Sequence, residues 1–301
     1  MFVQGARPGV GRKGPSKRGV LRVCTIWYGR SGMRRMVFAG RRVLVTGASS
    51  GLGRELAIQL ARDHKANLVL VARRAERLAE LARELTTNFG VEVDLVTADL
   101  SQMGEVERVV SLANERGLYA AILNAGVTHF GHHDELSFPE FEKMLDLNVR
   151  GTVRLTMAVA DALERSAEGG GVLIVASLSG LTPVPYQTAY SGTKGFLVKY
   201  GWALHHELLP RGVSVSVFAP GGIVSEMTDG EHFNDLRAWL MPVDRAARSA
   251  LSGFRRRKAL IIPGFLYNWL RGFVLKIVPE NFVVGRMAVT YRASLQRNRK
   301  R

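Results

Sequence analysis

Short, largely apolar runs alternate along this chain with longer stretches whose apolar residues return at helical spacing. The runs are Val43-Leu44-Val45, Leu68-Val69-Leu70-Val71, Val93 to Ala98, Ala120-Ala121-Ile122, Gly171-Val172-Leu173-Ile174-Val175-Ala176 and, last, Ala259-Leu260-Ile261-Ile262. Each reads as a strand, and runs without polar alternation suit strands buried on both faces, as in a parallel sheet covered by helices on each side. Helices are expected over Ala75 to Leu85 and from about Tyr190 to Leu209, where Pro210 and Gly212 end the pattern. The alternation predicts an α/β fold with a doubly wound parallel sheet in a single domain. At 301 residues no second full domain is required, and no internal repeat is visible.

Directly after the first run comes Thr46-Gly47-Ala48-Ser49-Ser50-Gly51-Leu52-Gly53. A strand that breaks into a glycine-rich turn and then a helix builds a phosphate site. Its glycines let the backbone turn tightly and approach a pyrophosphate, and the first helical N–H groups point at the anion. Gly47, Ser49, Ser50, Gly51, Leu52 and Gly53 are therefore expected to hold a dinucleotide. The second run ends in Ala72-Arg73-Arg74. An NAD-preferring site places an acidic residue near here for the ribose 2′-hydroxyl, whereas two guanidiniums suit a 2′-phosphate. NADP(H) is the expected cofactor, and Arg73, nearer the strand end, is the stronger of the two candidates.

Tyr190 and Lys194 stand four apart in Tyr190-Ser191-Gly192-Thr193-Lys194, so they share a helix face. A free phenol has a pKa of about 10, and a tyrosine that passes a proton near neutral pH needs a cation close by. Lys194 is expected to supply part of that effect. Ser177 follows the fifth run thirteen residues upstream, with Ser179 as the alternative for the same role.

The Gly-x-x-x-Gly-x-Gly spacing led by threonine, followed by Ser177, Tyr190 and Lys194 in that order, resembles the short-chain dehydrogenase/reductase family. Further segments fit the resemblance. Asp99-Leu100 closes the third run, as the family's adenine-contacting pair does. Leu123-Asn124-Ala125-Gly126 is similar to the Asn-Asn-Ala-Gly motif beside the adenosine ribose, with Leu123 replacing the first asparagine. Asn148, in Asp146-Leu147-Asn148-Val149, matches the helix asparagine that completes a catalytic tetrad by holding a water near the lysine. Pro220-Gly221-Gly222-Ile223-Val224-Ser225 resembles the loop that seats the nicotinamide carboxamide, with Pro220, Gly221, Ile223 and Ser225 as its contacts and Ser225 replacing the usual threonine. A serine hydroxyl offers the same hydrogen bond.

The resemblance implies a Rossmann-type fold and an NADP(H)-dependent oxidoreductase that interconverts a carbonyl and a secondary alcohol. In that reading Tyr190 is the general acid/base, Ser177 hydrogen-bonds the substrate oxygen, Lys194 binds the nicotinamide ribose, and Asn148 anchors a relay water. Homo-dimers or tetramers are expected, and no metal is required. A lipophilic substrate is expected from the apolar segment Met227 to Met241 and the C-terminal apolar stripe. The rival is a non-catalytic NADP-binding sensor or scaffold that touches membrane or nucleic acid through basic ends. The intact set of four catalytic candidates speaks against it, and no nucleic-acid partner is expected.

The formal charge of +16 is unevenly spread. Residues 1–35 hold nine Arg or Lys and no acid, and residues 245–301 hold fourteen against Glu280 alone, while the span between has nineteen basic and twenty-five acidic residues. The basic N-terminal extension, residues 1–35, lacks an apolar h-region and is expected to be disordered. Three readings stay open for it: an anion-touching tail, a transit peptide, or an upstream extension before a start at Met33 or Met36, the last being favoured. Residues 36–262 would form the catalytic domain and 263–301 an amphipathic, basic helical extension. There Phe265, Leu266, Trp269, Leu270, Phe273, Val274 and Ile277 make a stripe beside Arg271 and Lys276. The stripe is open to two readings, packing on the protein or a peripheral membrane contact. A single cysteine, Cys24, rules out an internal disulfide and fits a reducing, cytoplasmic compartment. His129, His132 and His133 are expected to border the substrate mouth and not to hold a metal. The neighbours His205 and His206 are expected at the surface or an interface.

Overall fold

Seven strands, β1 (Arg42–Thr46), β2 (Asn67–Ala72), β3 (Val93–Thr97), β4 (Ala120–Leu123), β5 (Gly170–Val175), β6 (Val213–Phe218) and β7 (Leu260–Ile261), form one sheet in the order β3-β2-β1-β4-β5-β6-β7. Every pairing is parallel. The α-helices among the described residues are α1 (Gly51–His64), α2 (Ala75–Phe89), α3 (Met103–Glu115), α4 (Phe138–Leu145), α5 (Thr152–Arg165), α6 (Thr188–Leu208), α7 (Val243–Arg255) and α8 (Glu280–Arg299), with α4 and α5 joined by a π-helical turn over Asp146–Gly151. The structure is a computed structural model and describes residues 34–166, 168–228, 240–264 and 278–299. The N-terminal extension up to residue 33, the stripe from Phe265 to Ile277 and most of the segment between Met227 and Met241 lie outside the described residues. The remaining described residues, from Arg35 onward, belong to one compact unit.

The apolar runs form strands because both sheet faces are covered. Alternate residues of a strand point to opposite faces. Val43, Val45, Leu68 and Leu70 accordingly enter one core with α1, α2 and α7. Leu44, Val69 and Val71 enter the other with α3, α5 and α6. Every residue of β4, β5 and β6 is buried, whereas the edge strand β3 leaves Leu95 exposed. Helix α1 buries Leu52, Leu56, Ala57, Leu60 and Ala61, a stripe at three- and four-residue spacing.

One local feature departs from the sequence expectation. His205 is buried against the sheet with Nδ1 2.7 Å from the Val215 carbonyl oxygen, and burial lowers its pKa. It is a packed residue of the α6–β6 contact and not a surface group. At the C-terminal end, α8 buries Ser294 and Leu295, sets Tyr291 edge-on to Phe130 at 5.4 Å, and donates from Arg292 Nε to the Tyr186 hydroxyl at 3.1 Å. Among the described residues no helix is long and apolar enough to cross a membrane.

The strand order turns back between β1 and β4, which are paired side by side through Val45 and Ile122. In an open parallel sheet such a reversal leaves a crevice beyond the carboxyl ends of the two strands. The glycine turn after β1 and Asn124-Ala125-Gly126 after β4 both emerge there.

Candidate active site

The hydroxyl of Thr46, the last residue of β1, is buried and accepts from the backbone N–H groups of Asn124 (2.9 Å) and Ala125 (3.0 Å). Asn124 returns its side-chain amide to the Thr46 carbonyl at 3.1 Å. The turn after β4 is thereby fastened to the turn after β1. Gly47 and Gly51 adopt φ of +67° and +52°, conformations that favour glycine. A Cβ on Gly53 would run into the Gly47 carbonyl and lie 2.6 Å from Asn124 Nδ2. The backbone is thus laid open as a cradle. Ser50 precedes α1 in an extended conformation and makes no side-chain cap, and α1 has no acid in its first turn, so its first N–H groups face the crevice without a side-chain acceptor. These residues fit a dinucleotide pyrophosphate.

Past β5, Ser177 caps a short 3-10 turn (Leu178–Gly180), accepting from the Ser179 N–H at 3.2 Å, and its side chain hydrogen-bonds Tyr190. Ser179, the alternative, has a buried hydroxyl without a hydrogen-bond partner. Lys194 is only 4% exposed, donates to the Val175 carbonyl at 2.9 Å, and holds Nζ 5.6 Å from the centre of the Tyr190 ring. Gly126 leaves room for it, since a Cβ there would lie 3.4 Å from Lys194 Nζ and 3.1 Å from Asn148 Oδ1. Asn148 sits in the π-helical turn, fully buried. It accepts from Val127 N–H and donates to the Val127 carbonyl, both at 2.9 Å, and donates to Thr193 Oγ1 at 3.2 Å. A π-turn marks many functional sites because it turns one residue off the regular helix face.

Burial pushes the Tyr190 phenol up to about 12, against which the Ser177 hydrogen bond works, and pushes the Lys194 ammonium down to about 8. The lysine therefore does not bring the phenol towards neutrality in the protein alone, because the same burial that concentrates its field also penalises both charges. At neutral pH the pair consists of a protonated phenol beside an ammonium.

Around this centre, Arg74 faces the glycine turn. Its Nε donates to Ser49 Oγ at 3.2 Å and an Nη to Ser50 Oγ at 2.6 Å. Arg73 lies 4.0 Å from Asp99. Burial would raise the Asp99 pKa, but the backbone and hydroxyl hydrogen bonds from Ser101, with Arg73 and Lys143, hold it below the usual range. Leu100 is buried and presents its carbonyl to Gly151. The Pro220 carbonyl accepts from the Leu178 N–H at 2.8 Å, which ties the Pro220-Gly221-Gly222-Ile223 loop to the serine turn. Ser225 lies against the glycine turn, 3.3 Å from where a Gly51 Cβ would stand, and its N–H donates to Thr228 Oγ1 at 3.0 Å. Thr228, Thr193, Arg77 and Glu226 were not singled out in the sequence. Arg77 was signalled only by its three-residue spacing from Arg74, the others by nothing short of the folded contacts. Among the described residues no three His, Cys, Asp or Glu side chains are arranged to hold a metal; His132 is set edge-on to Tyr186 at 5.2 Å.

The sequence profile of the family described as short chain dehydrogenase matches residues 41–234. The chain is 32% identical over 202 residues to the very-long-chain 3-oxoacyl-CoA reductase of Lodderomyces elongisporus, covering 63% of this chain and 57% of that one. It is 31% identical over 250 residues to the protein of the same description from Aspergillus terreus, covering 78% and 67%. It thus spans a little over half the length of the first of these relatives. Among solved structures it is similar to a short-chain dehydrogenase from Sphingobium yanoikuyae in complex with NADPH, with 29% identity, a TM-score of 0.70, and 79% and 96% of the two chains covered. It is also similar to the bulky-bulky ketone specific alcohol dehydrogenase of Comamonas testosteroni, with 29% identity, a TM-score of 0.69, and 79% and 94% covered. A profile that takes in well over half of the residues, on a seven-stranded parallel sheet of this order, establishes that the chain belongs to the short-chain dehydrogenase family.

Proposed function

We propose that this chain is an NADP(H)-dependent oxidoreductase that interconverts a carbonyl and a secondary alcohol. The observation that carries the reading is the Tyr190 phenol, hydrogen-bonded to Ser177 with the Lys194 ammonium beside it, at the carboxyl end of a sheet whose switch point holds the glycine cradle. A reduced nicotinamide dinucleotide held in that crevice would supply the hydride for the carbonyl carbon. Ser177 and Tyr190 hydrogen-bond the carbonyl oxygen, and Tyr190, held protonated by its burial, gives that oxygen its proton as charge develops on it. Lys194, beside the phenol, stabilises the phenolate left behind and would bind ribose hydroxyls. Asn148 is a positioning residue: its amide clamps Val127 and Thr193 around the lysine. Gly47, Ser49, Ser50, Gly51, Leu52, Gly53, Asn124, Ala125 and Gly126 take the dinucleotide backbone, Asp99 and Leu100 the adenine end, and Pro220, Gly221, Ile223 and Ser225 the carboxamide. Arg73 and Arg74 favour a 2′-phosphate. The NADPH complex of the Sphingobium relative supports the cofactor, and the very-long-chain and bulky-ketone relatives support a lipophilic substrate.

Exposed Met157 on α5 and Phe196 and Trp202 on α6 support a homo-oligomer formed through those helices, which light scattering on the purified protein tests. The compartment that best suits this reading is the cytoplasm, with peripheral membrane contact through the basic C-terminal region. Anionic-vesicle sedimentation with and without residues 264–301 tests that contact. For the activity itself, Tyr190→Phe is expected to lower ketone-dependent NADPH oxidation at least ~100-fold while NADPH binding stays within twofold. Retained turnover would remove Tyr190 from the chemistry.

A further inference from the structure

At the edge of the glycine turn a carboxylate bridges two guanidiniums. Glu226, in the short 3-10 turn Glu226–Thr228 that follows Ser225, accepts from Arg74 through one oxygen at 2.9 Å and from Arg77 through the other. Arg74 spends its remaining donor edges on the hydroxyls of Ser49 and Ser50. It is the residue just before α2, and Arg77 is three further along the same helix, so the two guanidiniums stand side by side. Arg73 lies 4.0 Å from Asp99. The guanidiniums that the Glu226 carboxylate bridges are those of Arg74 and Arg77, and the pair already holds one bidentate anion.

We propose that Glu226 and the 2′-phosphate of NADP(H) compete for Arg74 and Arg77, so that Glu226 is an internal competitor that sets NADPH affinity and Arg77 is a second phosphate ligand. The inference rests on the NADP(H) reading above. A carboxylate spreads one negative charge over two oxygens, whereas a phosphate monoester near neutral pH carries between one and a half and two, over three acceptors. Both anions match the forked geometry of paired guanidiniums. Glu226 is 54% exposed, and ion pairs at such exposure are screened and weakly held. The stronger anion therefore displaces the weaker one, at an affinity reduced by the Glu226 contacts that it must break. NADH carries no 2′-phosphate and gains nothing from displacing the carboxylate. The competition consequently acts on NADPH and leaves NADH alone.

The test is equilibrium binding to the purified full chain, followed by nicotinamide fluorescence, for NADPH and NADH in the wild type, Glu226→Gln and Arg77→Met. Glu226→Gln is expected to tighten NADPH about threefold to tenfold, less at high salt, with NADH within twofold. Arg77→Met is expected to weaken NADPH by about tenfold, again with NADH within twofold. Melting curves close to wild type confirm that both variants fold, as their exposure leads one to expect. If Glu226→Gln leaves NADPH unchanged or weakens it, the carboxylate is neutral to the phosphate or orients the arginines for it, and the competition is refuted. If Arg77→Met leaves NADPH unchanged, Arg77 is no phosphate ligand. A wild type that binds both dinucleotides while the variants fail to move sinks this inference alone; a wild type that binds neither sinks the NADP(H) reading itself.

Discussion

Replacing Thr46 by valine isolates the joint between the two turns that frame the crevice. The swap keeps shape and β-branching, so strand β1 and its packing are preserved. What it removes is one oxygen, 1% exposed as part of its residue, that accepts the N–H groups of Asn124 and Ala125 at 2.9 and 3.0 Å. Each buried donor left without an acceptor costs about 1–3 kcal/mol. Two of them, sharing partial access to water, imply ~2–4 kcal/mol. For a protein of this size each kcal/mol shifts the melting temperature by about 2–4 °C, so Thr46→Val should melt ~5–15 °C below wild type. Thr46→Ser keeps the acceptor and loses one buried methyl, worth ~1 kcal/mol, and should recover most of the loss. Thermal denaturation by circular dichroism measures stability, and NADPH titration is expected to show weakened binding in the valine variant and near-wild-type binding in the serine variant. If valine melts within ~2 °C of wild type, water or a small backbone shift satisfies both N–H groups and the joint is not held by this hydroxyl.

Two further predictions bear on the site. Because Lys194 is held at about 8, its ammonium is intact below that pH and lost above it; kcat/KM for carbonyl reduction should be flat to pH ~8 and then fall about tenfold per unit, and a profile flat to pH 9.5 would separate the lysine charge from catalysis. Gly53→Ala drives its Cβ into the Gly47 carbonyl and should cost about 1–3 kcal/mol with NADPH binding weakened at least ~10-fold, whereas Gly104→Ala, with open space around its Cβ in α3, should be neutral or stabilising by up to ~1 kcal/mol. Equal effects of the two in melting and titration experiments would contradict the cradle geometry.

The parts of this protein that were legible in its sequence are those written in local pattern. Apolar runs announced six of the seven parallel strands because both faces of the sheet are covered, while β6 was missed because the buried Ser214 and Ser216 break its apolar pattern; the glycine turn announced itself because only certain residues tolerate its backbone. Tyr190 and Lys194 were readable as a pair because helical spacing fixes their side. What the sequence did not show depends on direction and on distant partners. Arg73 and Arg74 are neighbours, and only the path of the chain into α2 decides which meets the serine hydroxyls and which meets Asp99. Glu226 reaches Arg77 across 149 positions of sequence. His205 and His206 are chemically identical; the sheet on one side of α6 buries the first. The sign of the Tyr190 shift was likewise hidden, because spacing reveals the lysine but not the depth at which both groups are buried.

The π-helical turn at Asp146–Gly151 makes the length of that segment as significant as its composition. An α-helix advances ~100° per residue, and the wider turn absorbs one residue more than regular winding would hold. A single-residue deletion there would let α4 and α5 run on as one ordinary helix, gaining local regularity. It would also swing the Asn148 amide away from Val127 and Thr193 by about that angle. A side-chain substitution nearby can be absorbed by repacking, but a change in residue count cannot, so the tolerance of this stretch to insertion and deletion should be far narrower than its tolerance to exchange.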